Sequence, residues 1–188
     1  MIARDVMTRE VVTASLLVGS RKASSMIRPP SVAVKGVKMK KIEKILAPTD
    51  LSDASRAGVR SALELALALH AQIIVLHVIG VGDDWMARHE DFPPVSGLLD
   101  ERKRRLGEFL QKNFADVSGG LTITQEVELG LPYKNIVERA AQEQVDLIVM
   151  STHGRTGLAH MLVGSVTEKV VGRSHCPVLA VPANPGEK

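Results

Sequence analysis

Short apolar runs alternating with helical patterns predict an α/β fold: an open five-stranded, mainly parallel sheet with helices on both faces, a Rossmann-like sandwich. Three observations carry this prediction. From residue 42 to residue 182 the patterns run strand, helix, strand, helix, strand, helix, strand, helix, strand, which implies right-handed crossovers and parallel pairing. The run V-D-L-I-V-M at 145–150 has few polar interruptions, as suits a central strand covered on both faces. The two loops with unusual chemistry, Pro48-Thr49-Asp50 and Met150-Ser151-Thr152-His153-Gly154, follow the first and fourth strands. Sheets of this kind bind ligands beyond the carboxyl ends of their strands, at the topological switch point.

The elements follow in order. Residues 42–47 form a first strand, and Pro48 to Asp53 form a loop ending in good N-cap residues. A helix over 54–70 places Val59, Ala62, Leu63, Ala66 and Leu69 on one apolar face. Residues 72–79, Q-I-I-V-L-H-V-I, are a β-branched second strand. The polar, Pro-containing stretch 80–97 reads as a lid or loop. An amphipathic helix at 98–114 precedes a third, alternating strand at 121–129. Gly130-Leu131-Pro132 punctuates, and Pro132 suits the first turn of a helix reaching about residue 144. After the fourth strand and a glycine loop come a short helix at 166–173 and a fifth strand at 176–182, with Pro177 and Pro182 where they disturb a ladder least.

The stretch 150–167, M-S-T-H-G-R-T-G-L-A-H-M-L-V-G-S-V-T, is the richest in chemistry. Gly154, Gly157 and Gly164 permit positive φ and let a ligand approach the backbone without a Cβ in the way. Ser165 with Glu168 reads as a capping box, which would start the helix at Val166. The free N–H groups and positive dipole end of that helix attract an anion. Neither a G-x-x-x-x-G-K-[ST] run nor a G-x-G-x-x-G after the first strand is present, which disfavours a P-loop and a dinucleotide fold.

Composition narrows the function classes. At 188 residues the chain suits one ordinary domain with an appendage. No apolar run reaches the roughly 18 residues that span a bilayer, and a secretory leader pattern is lacking, so the expectation is a soluble cytoplasmic protein without a membrane partner. One cysteine, Cys176, excludes an internal disulfide. Residues 1–41 hold nine Lys or Arg and two acids, leaving 15 against 19 in the remainder, so the basic character belongs to the N-terminal stretch. With few aromatic residues to stack bases, no nucleic-acid partner is expected.

The segments I-L-A-P-T-D-L-S-D-A-S (45–55), V-L-H-V-I (75–79), the G-L-P turn, S-T-H-G-R-T-G-L-A-H-M-L-V-G-S-V-T-E-K-V-V and C-P-V-L-A-V resemble the universal stress protein family in order and spacing across 42–182. The resemblance implies strand order 3-2-1-4-5, ATP as ligand and a homodimer. ATP-binding members share a glycine, two residues, a glycine, nine residues, then glycine with Ser or Thr. On this chain Gly154 is the second glycine and Gly164-Ser165 the final pair, while Ser151 stands for the first glycine. By that resemblance the Val78 backbone meets adenine, Asp50 meets ribose, and Gly154, Gly164, Ser165, Val166 and Thr167 meet the phosphates. Pro48, Thr49 and Met150 form neighbouring walls. Ser151, His153 and Arg155 complete the candidate nucleotide-binding set, with Mg²⁺ held by the phosphates themselves.

Each residue also has a plainer reading. Ser165 and Glu168 could be a cap alone, and Asp50 a turn residue bonded to its own backbone. Ser151 is harmless if its side chain points away from the ligand and obstructive otherwise, and Ser151→Gly is expected to leave binding equal or better. His153, His160, His175 and Cys176 match no zinc spacing, and no metal site is expected. His77 reads as a packed, hydrogen-bonded core histidine, and Cys176 as packing. No catalytic residue is assigned: without a general base beside the glycine loop, the expectation is binding with slow or no hydrolysis. The reading is therefore a stress-response module with nucleotide occupancy as signal; the rivals are a slow ATPase and a nucleotide-free dimeric interaction protein. A fifth strand without a long charged side chain at a sheet edge favours a homodimer through residues 177–182. Residues 3–14, A-R-D-V-M-T-R-E-V-V-T-A, resemble the opening of a CBS domain, whose remainder is missing. Residues 1–41 are taken as a flexible basic extension, with a partner-docking tail or a transit peptide as alternatives, and 183–188 as a C-terminal tail.

Overall fold

A computed structural model of the protein describes residues 41–80, 95–154 and 163–182. Five strands, β1 (Lys44–Thr49), β2 (Gln72–Gly80), β3 (Ile123–Gly130), β4 (Leu147–Ser151) and β5 (Val178–Val181), form one sheet of order β3-β2-β1-β4-β5. Every neighbouring pair is parallel. The helices are α1 (Arg56–Leu69), preceded by a 3-10 turn at Asp53–Ser55, then α2 (Val95–Ser118), α3 (Pro132–Gln142) and α4 (Ser165–Arg173).

The central strands β1, β2 and β4 are largely apolar on both faces because both faces are covered. Ile45, Ala47, Ile73, Val75, Leu147 and Val149 face one layer with Val59, Ala62, Leu63 and Ala66 of α1 and Leu106, Leu110 and Phe114 of α2. Leu46, Ile74, Leu76, Ile148 and Met150 face the other, with Ile136 and Ala140 of α3 and Val170 of α4. This period-2 split assigns α1 and α2 to one side of the sheet and α3 and α4 to the other.

Several boundaries differ from the sequence reading for identifiable reasons. Leu69, expected on the buried face of α1, is 38% exposed, because the helix ends there and His70 turns left-handed (φ 54°). The amide of His70 caps this end on the Ala66 carbonyl. The expected end of α2 at Phe114 is a kink (φ −138°, ψ 18°), after which the helix continues to Ser118. Phe114 is buried there, edge-to-face with Phe109 at 5.5 Å, and the Arg60 guanidinium lies 5.5 Å from its ring centre. Gly130, in the G-L-P turn, does use positive φ (152°), where Pro132 then opens α3.

Candidate functional site

The chain leaves β1 toward β2 on one side and reaches β4 on the other, so the switch point lies between β1 and β4. Beyond their carboxyl ends lies a cleft of about 470 Å³. Pro48, Thr49 and Asp50 enter it from the end of β1, and Val78 from β2. Met150, Ser151, His153 and Gly154 line it from β4 and its following loop, and Gly164, Ser165, Val166 and Thr167 from the start of α4. Arg155, His160 and Gly157 lie outside the described residues.

The β1 loop is held by a directed chain of hydroxyls. The Ser55 hydroxyl donates to the Ser52 carbonyl at 2.8 Å, and the Leu51 N–H donates to Thr49 Oγ1 at 3.0 Å. The Thr49 hydroxyl proton is therefore the one that bridges to Ser55 Oγ at 2.8 Å. Asp50 Oδ1 accepts both the Ser52 N–H at 3.0 Å and the Ser52 hydroxyl at 2.5 Å, so Asp50 is a turn residue in the local sense. Its other oxygen faces Gly154: a Cβ built on Gly154 would stand 2.5 Å from Asp50 Oδ2. Turn-making and exposure to the cleft thus coexist in one carboxylate. His77 is buried as expected, and because a carbonyl only accepts, its Nδ1 carries the proton donated to the Thr49 carbonyl at 2.9 Å.

Two expectations for the glycine loop need correction. Gly164 does not use positive φ; at φ −71° and ψ 153° it is the N-cap of α4, and a Cβ on it would stand 3.0 Å from the Thr152 carbonyl oxygen. Nor is Gly154 in the left-handed region; positive-φ glycines among the described residues are Gly120 and Gly130. What both loop glycines supply is close approach. The capping box also fails: Ser165 is the first helical residue, no side-chain cap is present, and the Glu168 N–H bonds the Gly164 carbonyl at 3.0 Å. Gly164 took the cap position, which displaced the pattern by one residue.

That displacement matters chemically. The N–H groups of Ser165, Val166 and Thr167 have no intrahelical acceptor, and no serine cap covers them. They open on the cleft with the positive end of the helix behind them. Gly164 N–H is already spent on the Thr152 carbonyl at 2.7 Å, and the Thr167 hydroxyl donates to the Ser151 carbonyl at 3.0 Å. Thr167 therefore offers its amide to the cleft, while its side chain ties α4 to β4.

Ser151, the departure from the glycine pattern, is buried, and its Oγ accepts the N–H of Gly58 in the first turn of α1 at 2.8 Å. Its side chain points to α1. His153 Nδ1 meets the Thr152 hydroxyl at 2.9 Å. Reasoning from sequence missed Ser55, Leu76, Ile79, Gly80, Pro132 and Ile136 in the lining, and also Arg102, Thr152 and His77. Pro132 and Ile136 could have been found from the α3 register, whereas Arg102 depends on how α2 crosses the sheet. Among the described residues no group of three His, Cys, Asp or Glu is placed to hold a metal ion. No helix among them is long and apolar enough to cross a membrane.

A parallel doubly wound sheet with a switch-point cleft, walled by close-approach glycines and an open helix N-terminus, defines an α/β protein of the open-sheet class. The chain belongs to the universal stress protein family, whose model matches residues 41–182. It is 35% identical over 140 residues to universal stress protein MJ0531 of Methanocaldococcus jannaschii, covering 74% of this chain and 81% of that one. Among solved structures, hypothetical protein MJ0577 is similar at 34% identity and TM-score 0.60, covering 76% of this chain and 97% of that chain. Universal stress protein UspA from Lactobacillus plantarum is similar at 25% identity and TM-score 0.61, covering 76% and 99%. A universal stress protein in complex with cAMP is similar at 27% identity and TM-score 0.52, covering 77% and 99%.

Proposed function

We propose that the cleft is an ATP site and that the protein is a stress-response module whose signal is nucleotide occupancy. The observation that carries this reading is the uncapped first turn of α4, with its Ser165, Val166 and Thr167 amides opening on the same cleft as the Asp50 carboxylate. The amides suit phosphoryl oxygens, and Asp50 suits the ribose hydroxyls. Gly154 and Gly164 are the cradle that any Cβ would fill. In this reading the Val78 backbone meets adenine, with Pro48, Thr49 and Met150 as walls, and Mg²⁺ comes bound to the phosphates; all four residues line the cleft. The cAMP complex of a 27%-identical neighbour supports an adenine nucleotide as the ligand class.

Slow hydrolysis is the second reading. Asp50 is the carboxylate in the described lining, and its Oδ1 already accepts two hydrogen bonds from Ser52. With that oxygen engaged and no second carboxylate in the described lining, the site has little apparatus for water activation, so occupancy outlasts turnover. Phosphate release under saturating ATP decides the matter: rates well above about 1 s⁻¹, an ordinary enzyme rate, favour the ATPase.

The same reading includes a homodimer through β5. β5 is a sheet edge, and Leu179 within it is 38% exposed. Antiparallel pairing with a second copy satisfies both edge backbones.

A further inference from the structure

Core-facing positions of α2 recur at Leu106, Leu110 and Phe114, each buried against the sheet. One turn earlier on this stripe, where the helix approaches the cleft, stands Arg102. Its Nε is buried and has no hydrogen-bond partner. Neighbouring arginines are paired, Arg104 with Glu108 and Arg105 with Glu101, but among the described residues no carboxylate lies within ion-pair distance of Arg102. A leucine or methionine there would continue the apolar stripe, whereas a guanidinium with an unmet buried N–H is costly. Such a group is stabilised by an acceptor that arrives with a ligand, and a guanidinium fork matches phosphoryl oxygens best.

We infer that Arg102 is a binding residue of this cleft: it pairs with a phosphoryl oxygen of the bound nucleotide and sets the preference for phosphorylated over unphosphorylated ligands. This rests on the nucleotide reading of the cleft. The amides of α4 hold phosphate from one side of the sheet and Arg102 from the α1 and α2 side, so the anion is met by donors on both layers.

The test is calorimetric titration of the full chain and of Arg102→Gln and Arg102→Lys with ATP and with adenosine. Arg102→Gln is expected to weaken ATP at least about tenfold, the worth of a charge-assisted hydrogen bond, with Arg102→Lys intermediate. Adenosine affinity is expected to change less than about twofold, and the ligand-free melting temperature less than about 2 °C, since the buried Nε has no hydrogen bond to lose among the described residues. If the unaltered chain binds ATP and Arg102→Gln binds it equally, the inference fails while the nucleotide reading stands. An equal loss for ATP and adenosine also overturns it, because Arg102 would then serve the base or the wall. No ATP binding by the unaltered chain overturns the nucleotide reading and this inference together.

Discussion

The hydroxyl of Ser151 accepts the backbone N–H of Gly58 at 2.8 Å, joining the end of β4 to the first turn of α1. Ser55, the N-cap residue of α1, makes no side-chain cap bond, so Ser151 supplies one from across the fold. The approach needs a glycine: a Cβ on Gly58 would stand 2.7 Å from the Met150 carbonyl carbon and 2.9 Å from Ser151 Oγ. Ser151→Ala should therefore cost about 1–2 kcal/mol, the value of a cap with a buried N–H left unmet. Ser151→Gly should lose the same cap. Urea denaturation checks both, and ATP affinity within about twofold of the unaltered chain is expected for both, because the lost group faces α1. A drop in affinity without a drop in stability would place the hydroxyl at the ligand instead.

Gly154→Ala tests the contact between the two loops. Its Cβ would meet Asp50 Oδ2 at 2.5 Å, so the carboxylate must swing away or the loops must part. ATP affinity should fall at least about tenfold, with a stability loss of about 1–3 kcal/mol typical of overpacking. Gly164→Val should lose binding too and also destabilise α4, since backbone at Thr152 lies 3.0 Å from the new Cβ. Normal ATP affinity in Gly154→Ala would remove Asp50 from the site.

Much of this was legible in the sequence because parallel strands covered on both faces leave apolar runs such as I-I-V-L, and turn residues bracket them. Twelve of the candidate residues do meet at one cleft, since the ends of β1 and β4 are neighbours by topology. The failures share a cause. Ser165 was read as a cap from local spacing, yet Gly164 fills that position because Thr152 pulls on its N–H. The role of Ser151 depends on Gly58, 93 positions away. Arg102 stands first in a run of four basic residues, 102–105, which masks its place one turn before Leu106, and the packing of α2 brings it to the cleft.

Cys176 is expected to be a sluggish thiol. Burial raises its pKa from the ordinary value, against the Ser174 hydroxyl, which lowers it. The folded protein holds this proton more tightly than the unfolded chain does. Its contribution to stability is thus whole below the unfolded thiol pKa and is lost as pH rises through the folded one. Iodoacetamide at pH 8.5 should label the native protein more slowly than the urea-unfolded chain; equal rates would contradict the assignment.

Leu179→Pro tests assembly. Proline removes an N–H from β5 and should halve the mass seen by light scattering at micromolar concentration if the edges of two copies pair. A monomer before the change, or an unaltered mass after it, would remove β5 as the interface.

The most direct measurement is calorimetric titration of the full chain with ATP and Mg²⁺. The account expects saturable binding of one nucleotide per chain, weakened at least about tenfold in Gly154→Ala and retained in Ser151→Ala. Absence of any heat or saturation with the folded, unaltered chain would contradict it, and the cleft at the switch point would then not be a nucleotide site.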